Sequence, residues 1–230
     1  MTEQKGFVRS PHVERLNAFL PIDANHAEIY FENADLDDDF QIETKALFSL
    51  CEAVDDGKAS VIILTGNPGH GKTHICALLL AEKTNTEITD AQELLVKTDP
   101  DDLRENLEDG RSLRIFKDLS EYSPQEAGKI LSEAVNEQKA VTVICANDGQ
   151  LRQAVKASDN SKLEGVKNLA DDSVLKGRVY SENDKVFLLN LNYQSVVGGE
   201  GKKSIFGQVF HEWVEDEEKW IECDLNLIKS

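Results

Sequence analysis

The chain has 230 residues, of which 25 are Lys or Arg and 43 are Asp or Glu, so that its formal net charge is −18. This length suits one α/β domain with a small extension and leaves no room for two RecA-type lobes, which disfavours a self-contained helicase. A strongly acidic surface repels phosphate backbones, so we do not expect the chain to bind nucleic acid by itself.

The cysteines indicate neither a zinc site nor a disulfide framework, because no two of them form a C-x-x-C pair. Cys76 and Cys145 lie in apolar runs and are predicted to be small core residues. Residues 1–6 contain no apolar signal segment, and no run reaches membrane-spanning length. We therefore expect a reduced, cytoplasmic protein without membrane contact.

Composition divides the chain into an N-terminal extension, residues 1–40, and a domain over residues 41–230. The extension is predicted to hold an amphipathic stretch and an acidic loop, at residues 7–20 and 32–39.

In the domain, predicted strands alternate with predicted helices. Short apolar runs indicate strands at residues 61–64, 113–117, 141–146 and 186–191. Helical spacing indicates helices at residues 41–54, 75–81, 91–96, 100–107, 150–157 and 205–214. Ser123 and Pro124 open a further helix, because proline suits the first helical turn. This alternation predicts an α/β fold whose parallel sheet carries helices on both faces.

The most specific local pattern is G-x-x-x-x-G-K-[ST], which fits at Gly66, Gly71, Lys72 and Thr73. A predicted strand precedes the pattern and a predicted helix follows it, which is the order that a phosphate-binding loop requires. The alternative is a plain glycine turn that binds nothing.

Glycines allow such a loop to wrap closely and to turn its N–H groups onto an anion, while the following helix directs its positive end to the same point. Lys72 would reach the β and γ phosphates, and the Thr73 hydroxyl would bind Mg²⁺. The predicted cofactors are therefore ATP and Mg²⁺. The residues predicted to bind them are Gly66, Asn67, Pro68, Gly69, His70, Gly71, Lys72, Thr73 and His74.

Hydrolysis would also require a carboxylate near Mg²⁺, and the carboxyl ends of neighbouring parallel strands are the place for it. Asp118 and Asp148 both follow predicted strands. We favour Asp118 as the metal ligand, because Asn147 then lies where a second polar catalytic group is wanted. The alternative for Asp118 is a turn or helix cap, since Ser120 and Ser123 are close in the chain.

Three further side chains are weaker candidates. Glu121 could act as the catalytic base or could be a surface carboxylate. Arg152 and Arg178 lie near predicted strand ends, where either could complete the site or could form a surface ion pair.

The succession of glycine motif, Asp118, Asn147, Arg178 and last strand resembles the AAA+ branch of P-loop NTPases. The resemblance implies an AAA+-like core with catalytic roles for Lys72, Asp118, Asn147 and Arg178. Two departures are plain: Asp118 is followed by Leu119 rather than by the usual glutamate, and no lid domain is evident after residue 191. We therefore expect either a degenerate ATPase or a piece of a larger one.

Three runs are also similar to the ATPase region of the DptF family of phosphorothioation-dependent DNA restriction proteins. They lie at residues 64–73, 116–121 and 144–149. This resemblance implies work with partner proteins in bacterial and archaeal DNA restriction, that is, in antiphage defence.

The leading hypothesis is thus a Mg²⁺-dependent ATPase that acts with other subunits, either copies of itself or restriction partners. The alternative is an interaction switch that binds ATP with little turnover. A small-molecule kinase ranks third. It would need an arginine-rich lid over the phosphate acceptor, and the polar region at residues 84–110 supplies only Arg104. GTP is disfavoured, because no Asn-Lys-x-Asp motif follows an apolar strand.

Overall fold

The computed structural model describes residues 44–99, 103–137, 139–158, 160–183, 185–193 and 204–211. The chain divides into two compact units, one over residues 43–194 and one that combines residues 1–42 with 195–230. The predictions for residues 7–20 and 32–39 lie outside the described residues, and the boundary after residue 40 stays a prediction.

The larger unit contains a six-stranded sheet in the order β2-β3-β4-β1-β6-β5. Four strands in the middle, β3, β4, β1 and β6, are parallel. All five residues of the central strand β1 are buried, which explains its apolar sequence. The strands are β1 Val61–Thr65, β2 Arg104–Asn106, β3 Ser112–Phe116, β4 Ala140–Ala146, β5 Arg178–Ser181 and β6 Val186–Asn190.

Helices cover both faces of this sheet. The helices of the larger unit are α1 Lys45–Asp55, α2 Lys72–Thr84, α3 Ile88–Lys97, α4 Pro124–Asn136, α5 Asp148–Ala157 and α6 Leu163–Lys176. On one face, Ile144 belongs to a buried cluster with Leu131 of α4, Leu151 of α5 and Val166 of α6. The next residue, Cys145, points to the opposite face. The α/β fold with helices on both faces is therefore confirmed.

Cys145 shows what covers that opposite face. Its Sγ lies 3.2 Å from Sγ of Cys76 in α2, and both side chains are fully buried. The hydrogen bond between the two thiols, together with burial, raises the pKa of Cys76. The prediction of two small core residues is confirmed.

The expectation of a wholly parallel sheet is wrong at its two edges. β2 pairs antiparallel with β3, and β5 pairs antiparallel with β6. A tight turn joins the first pair, in which the Leu107 amide donates to the Arg111 carbonyl at 2.8 Å. Connections this short allow only antiparallel neighbours, because a parallel crossover needs a dozen residues or more.

Two other differences concern short or polar segments. The predicted helix at 100–107 is wrong within the described residues, where β2 occupies residues 104–106. Helix α6 and strand β5 were not predicted from the sequence. The observed bounds of the remaining strands and helices differ from the predicted ones mostly at their ends.

In the smaller unit, helix α7, Ile205–Phe210, is described, with the Ser204 hydroxyl accepting a hydrogen bond from the Gly207 amide at 2.9 Å. It matches the first part of the helix predicted at 205–214. None of the helices within the described ranges is long and apolar enough to cross a membrane.

Candidate functional site at the end of the central strand

The glycine loop, defined here as residues 66–71, connects β1 to α2. Because β1 lies between β4 and β6, the loop emerges at the carboxyl edge of the parallel strands, where open α/β sheets bind their ligands. Gly66 is buried, whereas residues 67–71 are exposed. The loop is thus anchored at its first residue and open to solvent over the rest.

Gly71 begins helix α2 in a conformation that favours glycine. Its φ is +76°, and a Cβ built on it would meet nothing within 4 Å. The backbone angle rather than crowding therefore requires glycine here. No side chain caps the helix, and the Ile75 amide donates to the Gly71 carbonyl at 2.9 Å. The start of α2 consequently presents N–H groups and a positive dipole end toward the loop.

The Lys72 side chain extends from the first residue of α2 back to the beginning of the loop. Its Nζ donates to the Gly66 carbonyl at 2.8 Å and to the Asn67 carbonyl at 3.1 Å. The ammonium group therefore lies on the first two residues of the loop, and Thr73 follows Lys72 in the first turn of α2. The junction of the loop and α2 thus supplies backbone N–H groups, a cation and a hydroxyl-bearing residue.

Two histidines flank these groups. His70 is exposed, and its amide donates to the Asn67 carbonyl at 3.2 Å. His74 is half-buried, and burial lowers the pKa of its imidazole below the ordinary value. Near neutral pH, His74 therefore adds no full charge to the site.

Next to β1, strand β4 is followed by Asn147, which caps α5. Its Oδ1 accepts a hydrogen bond from the Gln150 amide at 2.8 Å, and Gln150 Oε1 accepts one from the Asn147 amide at 3.3 Å. Asn147 is therefore at the predicted edge of the sheet, with its side chain engaged in a capping box.

Asp148 and Arg152 form an ion pair along α5. Arg152 Nε lies 2.7 Å from an Asp148 oxygen, and its Nη2 lies 2.7 Å from Asp171 of α6. These hydrogen bonds raise the pKa of Arg152 above its ordinary value. The structure thus places Arg152 in the surface ion pair that the sequence left open as its alternative.

Asp118 follows β3, which is separated from β1 by β4. At about 4.8 Å between neighbouring strands, the backbones of β3 and β1 are roughly 10 Å apart. Asp118 Oδ1 accepts a hydrogen bond from the Ser120 amide at 2.8 Å and caps a 3₁₀ turn, Leu119–Glu121. Glu121 is exposed in that turn. The carboxylate of Asp118 therefore serves as a cap, which is the alternative role that the sequence allows for it.

Arg178 begins β5 opposite Leu189, close to the carboxyl end of β6. Its Nη1 donates to the Ser49 hydroxyl of α1 at 3.3 Å. Arg178 also lines a cavity of about 330 Å³ whose wall includes Tyr180 and Phe187. Arg178 is at the predicted edge of the sheet, but its side chain is directed to α1.

Sequence reasoning missed one group of residues at the loop. Asn192 Oδ1 accepts a hydrogen bond from the Asn67 amide at 3.2 Å. Asn192 lies in a 3₁₀ turn, Leu191–Tyr193, that directly follows β6. The only signal in the sequence is its position just after a predicted strand beside β1.

No group of three His, Cys, Asp or Glu side chains that could hold a metal occurs in the part of the chain that the structure describes. Mg²⁺ does not need such a cluster, because it is commonly bound through one or two carboxylates, waters and the phosphates of a substrate.

Comparisons with protein-family models, with curated proteins and with solved structures found no match for this chain.

Proposed function

We propose that this chain binds ATP with Mg²⁺ at the glycine loop and hydrolyses it as a module of a larger assembly. The observation that carries the proposal is the start of α2, where Gly71 at φ +76° precedes an uncapped helix whose first residue, Lys72, extends its ammonium back to the Gly66 carbonyl. Helix starts of this kind bind phosphate through their N–H groups and their dipole.

A phosphate ligand needs a local cation on this chain. The formal charge is −18, so most of the surface repels a multiply charged anion. Lys72 Nζ, already bonded to two loop carbonyls, is the cation that would transfer to the phosphates. Binding would exchange neutral acceptors for charged ones, which form stronger hydrogen bonds.

The metal would be held by the Thr73 hydroxyl and by Asp118. When bound, Mg²⁺ would neutralise charge on the phosphates that Lys72 also contacts. Asp148 is the weaker candidate, because Arg152 occupies its carboxylate at 2.7 Å. Asn147 and Glu121 are the side chains at this edge that could orient water.

The sheet order agrees with the proposed P-loop NTPase identity. The resemblance to the AAA+ branch requires Asp118, Asn147 and the glycine loop at one edge, and β3, β4 and β1 are adjacent in that order. Arg178, which points to α1, would act only after its side chain moves. The resemblance to the DptF family suggests that the assembly is a DNA restriction system with other subunits.

A second candidate function is a nucleotide-dependent interaction switch with little hydrolysis. Two observations favour it: Leu119 stands where a catalytic glutamate is usual, and Asp118 is engaged as a cap at 2.8 Å. A module of this kind would signal by binding and releasing ATP.

Calorimetric titration with Mg·ATP and a phosphate-release assay test both candidates. For the ATPase we expect saturable binding and phosphate release above that of Lys72→Ala. Binding with release no faster than Lys72→Ala would support the switch instead. If Mg·ATP does not bind at millimolar concentration, both candidates fail.

The choice of metal carboxylate is tested by Asp118→Asn and Asp148→Asn. We expect Asp118→Asn to lower phosphate release by an order of magnitude or more, because it removes a charge that the metal needs. Asp148→Asn should leave release close to wild type, because it breaks only the pair with Arg152. The reverse ranking would move the metal site to Asp148.

A further inference from the structure

The peptide group between Gly66 and Asn67 is held at both of its polar ends. Its N–H, which belongs to Asn67, donates to Asn192 Oδ1 at 3.2 Å. Its carbonyl, which belongs to Gly66, accepts from Lys72 Nζ at 2.8 Å. A trans peptide is planar and its N–H and C=O point in opposite directions, so the direction of one determines the direction of the other.

Asn192 is itself fixed by buried groups. The backbone N–H of Asn192 donates to Asn190 Oδ1 at 3.0 Å, and Asn190 Nδ2 donates to the Ser173 hydroxyl at 3.4 Å. The Ser173 hydroxyl in turn donates to the Ala170 carbonyl of α6 at 2.8 Å. Asn190 and Ser173 are only 7% and 1% exposed. The chain of hydrogen bonds therefore connects the core to the loop surface.

Packing brings the same turn against the loop. A Cβ built on Gly66 would lie 3.1 Å from Leu191 Cβ, which is tighter than ordinary contact. The missing side chain at Gly66 thus lets the turn after β6 lie directly on the loop. Leu191 therefore packs against Gly66, and Asn192 is bonded to the peptide that follows it.

We propose that Asn192 is a positioning residue that orients the Gly66–Asn67 peptide and, through its carbonyl, the Lys72 ammonium. This inference rests on the proposed function for its effect on nucleotide, and it adds a residue outside the glycine motif to that site. Without Asn192 the peptide can rotate, so the loop and the Lys72 ammonium are less ordered beforehand and must be ordered when the phosphates bind.

The test compares three variants in the full chain. Asn192→Ala removes the acceptor, and Asn192→Asp keeps an oxygen in the same place. The matched control is Thr65→Val, which removes a buried hydroxyl that has no hydrogen-bond partner among the described residues and lies opposite Asn190 in the sheet. Thermal unfolding of each variant establishes that it is folded.

The first readout is hydrogen exchange of the Asn67 amide without nucleotide. We expect the Asn67 amide to exchange about threefold faster in Asn192→Ala, which is the effect of losing one weak, exposed hydrogen bond. In Asn192→Asp and Thr65→Val it should exchange at the wild-type rate. Unchanged exchange in Asn192→Ala, or equal acceleration in Thr65→Val, would overturn the inference.

The second readout is the affinity for Mg·ATP, which should weaken about threefold in Asn192→Ala. A wild type that binds no ATP refutes the proposed function, whereas the exchange data still decide whether Asn192 positions the peptide. A wild type that binds ATP, with Asn192→Ala binding equally well, refutes the role of Asn192 and leaves the proposed function intact.

Discussion

Two neighbouring parallel strands, β1 and β4, are each followed by a helix, and the two helix starts differ in how they are capped. At α5 the Asn147 and Gln150 side chains close the first turn with two reciprocal hydrogen bonds. At α2 the corresponding position is Gly71, and no side chain caps the turn.

The difference shows that one architecture can either close a helix start with its own side chains or leave it uncapped. A helix start closed by its own side chains has satisfied its donors and gains stability. A helix start left open retains donors and a positive end, which an anion can satisfy. Because Lys72 adds an ammonium group to this loop, we expect the bound anion to be a phosphate group.

The largest predicted effect is a loss of Mg·ATP affinity when Lys72 is replaced. The control is a lysine at the first position of a capped helix. Lys72→Ala should weaken Mg·ATP binding by about 2 kcal/mol, or roughly thirtyfold, because it removes hydrogen bonds to charged oxygens. Lys45→Ala, at the first position of α1 after the Thr44 cap, should bind as wild type. Equal affinities of the two variants in calorimetry would break the comparison.

The second prediction isolates the backbone conformation of the open start. Gly71→Ala and Gly110→Ala both place a side chain at positive φ, +76° and +82°, with nothing within 4 Å of the new Cβ. Each should lower the free energy of unfolding by about 1 kcal/mol. Gly71→Ala alone should also weaken Mg·ATP binding, because it alone alters the start of α2.

Gly110 serves as the control for this experiment, because it lies in the turn between β2 and β3. Chemical denaturation compares the stability of the two variants, and calorimetry compares their affinity. A loss of affinity in Gly110→Ala as large as in Gly71→Ala would show that general destabilisation is the cause.

The third prediction concerns the closed start. Asn147→Ala should lower the free energy of unfolding by about 1 kcal/mol through loss of the cap. Ser123→Ala, which opens the capping box of α4, should do the same. If Asn147 also orients water, only Asn147→Ala will slow phosphate release. Equal release by the two variants would restrict Asn147 to its structural role.

Part of this comparison could be predicted from the sequence. The glycine motif is local: Gly66, Gly71, Lys72 and Thr73 lie within eight residues between an apolar strand and a helix. The buried parallel strands are apolar runs, so the middle of the sheet could also be predicted. The two edge strands, of three and four residues, are partly exposed and polar and carry no such pattern.

Contacts between distant parts of the chain could not be predicted in the same way. Asp118 shows this, because a carboxylate after a strand has the same sequence signature as a metal ligand and as a cap. Asn192 reaches Asn67 across 125 positions, which no local pattern indicates. Helix α6 is absent from the sequence-based predictions, although Leu163, Val166 and Ala170 are spaced along one helical face.

The smallest predicted effect is a pH dependence at the open start. Because burial lowers the pKa of His74, its protonation is disfavoured in the folded state. The unfolded chain binds the proton more readily, so stability is fully present above pH 6.5, the ordinary value, and is lost as the pH falls.

His74→Gln removes this titration. The free energies of unfolding of wild type and variant should differ by a constant amount above pH 7.5. Below pH 6 the free energy of unfolding of the wild type should fall relative to that of the variant. A difference that stays constant from pH 8 to pH 5 would contradict the burial of His74.

The most direct test of the central claim is a titration of the nitrogen-15-labelled chain with Mg·ATP, followed by the backbone amide resonances. The account predicts the largest shifts at Gly69, Gly71, Lys72 and Thr73, with the amide of Gln150 in the closed start much less affected. Shifts concentrated at α5, or no shifts at the glycine loop at saturating nucleotide, would contradict it.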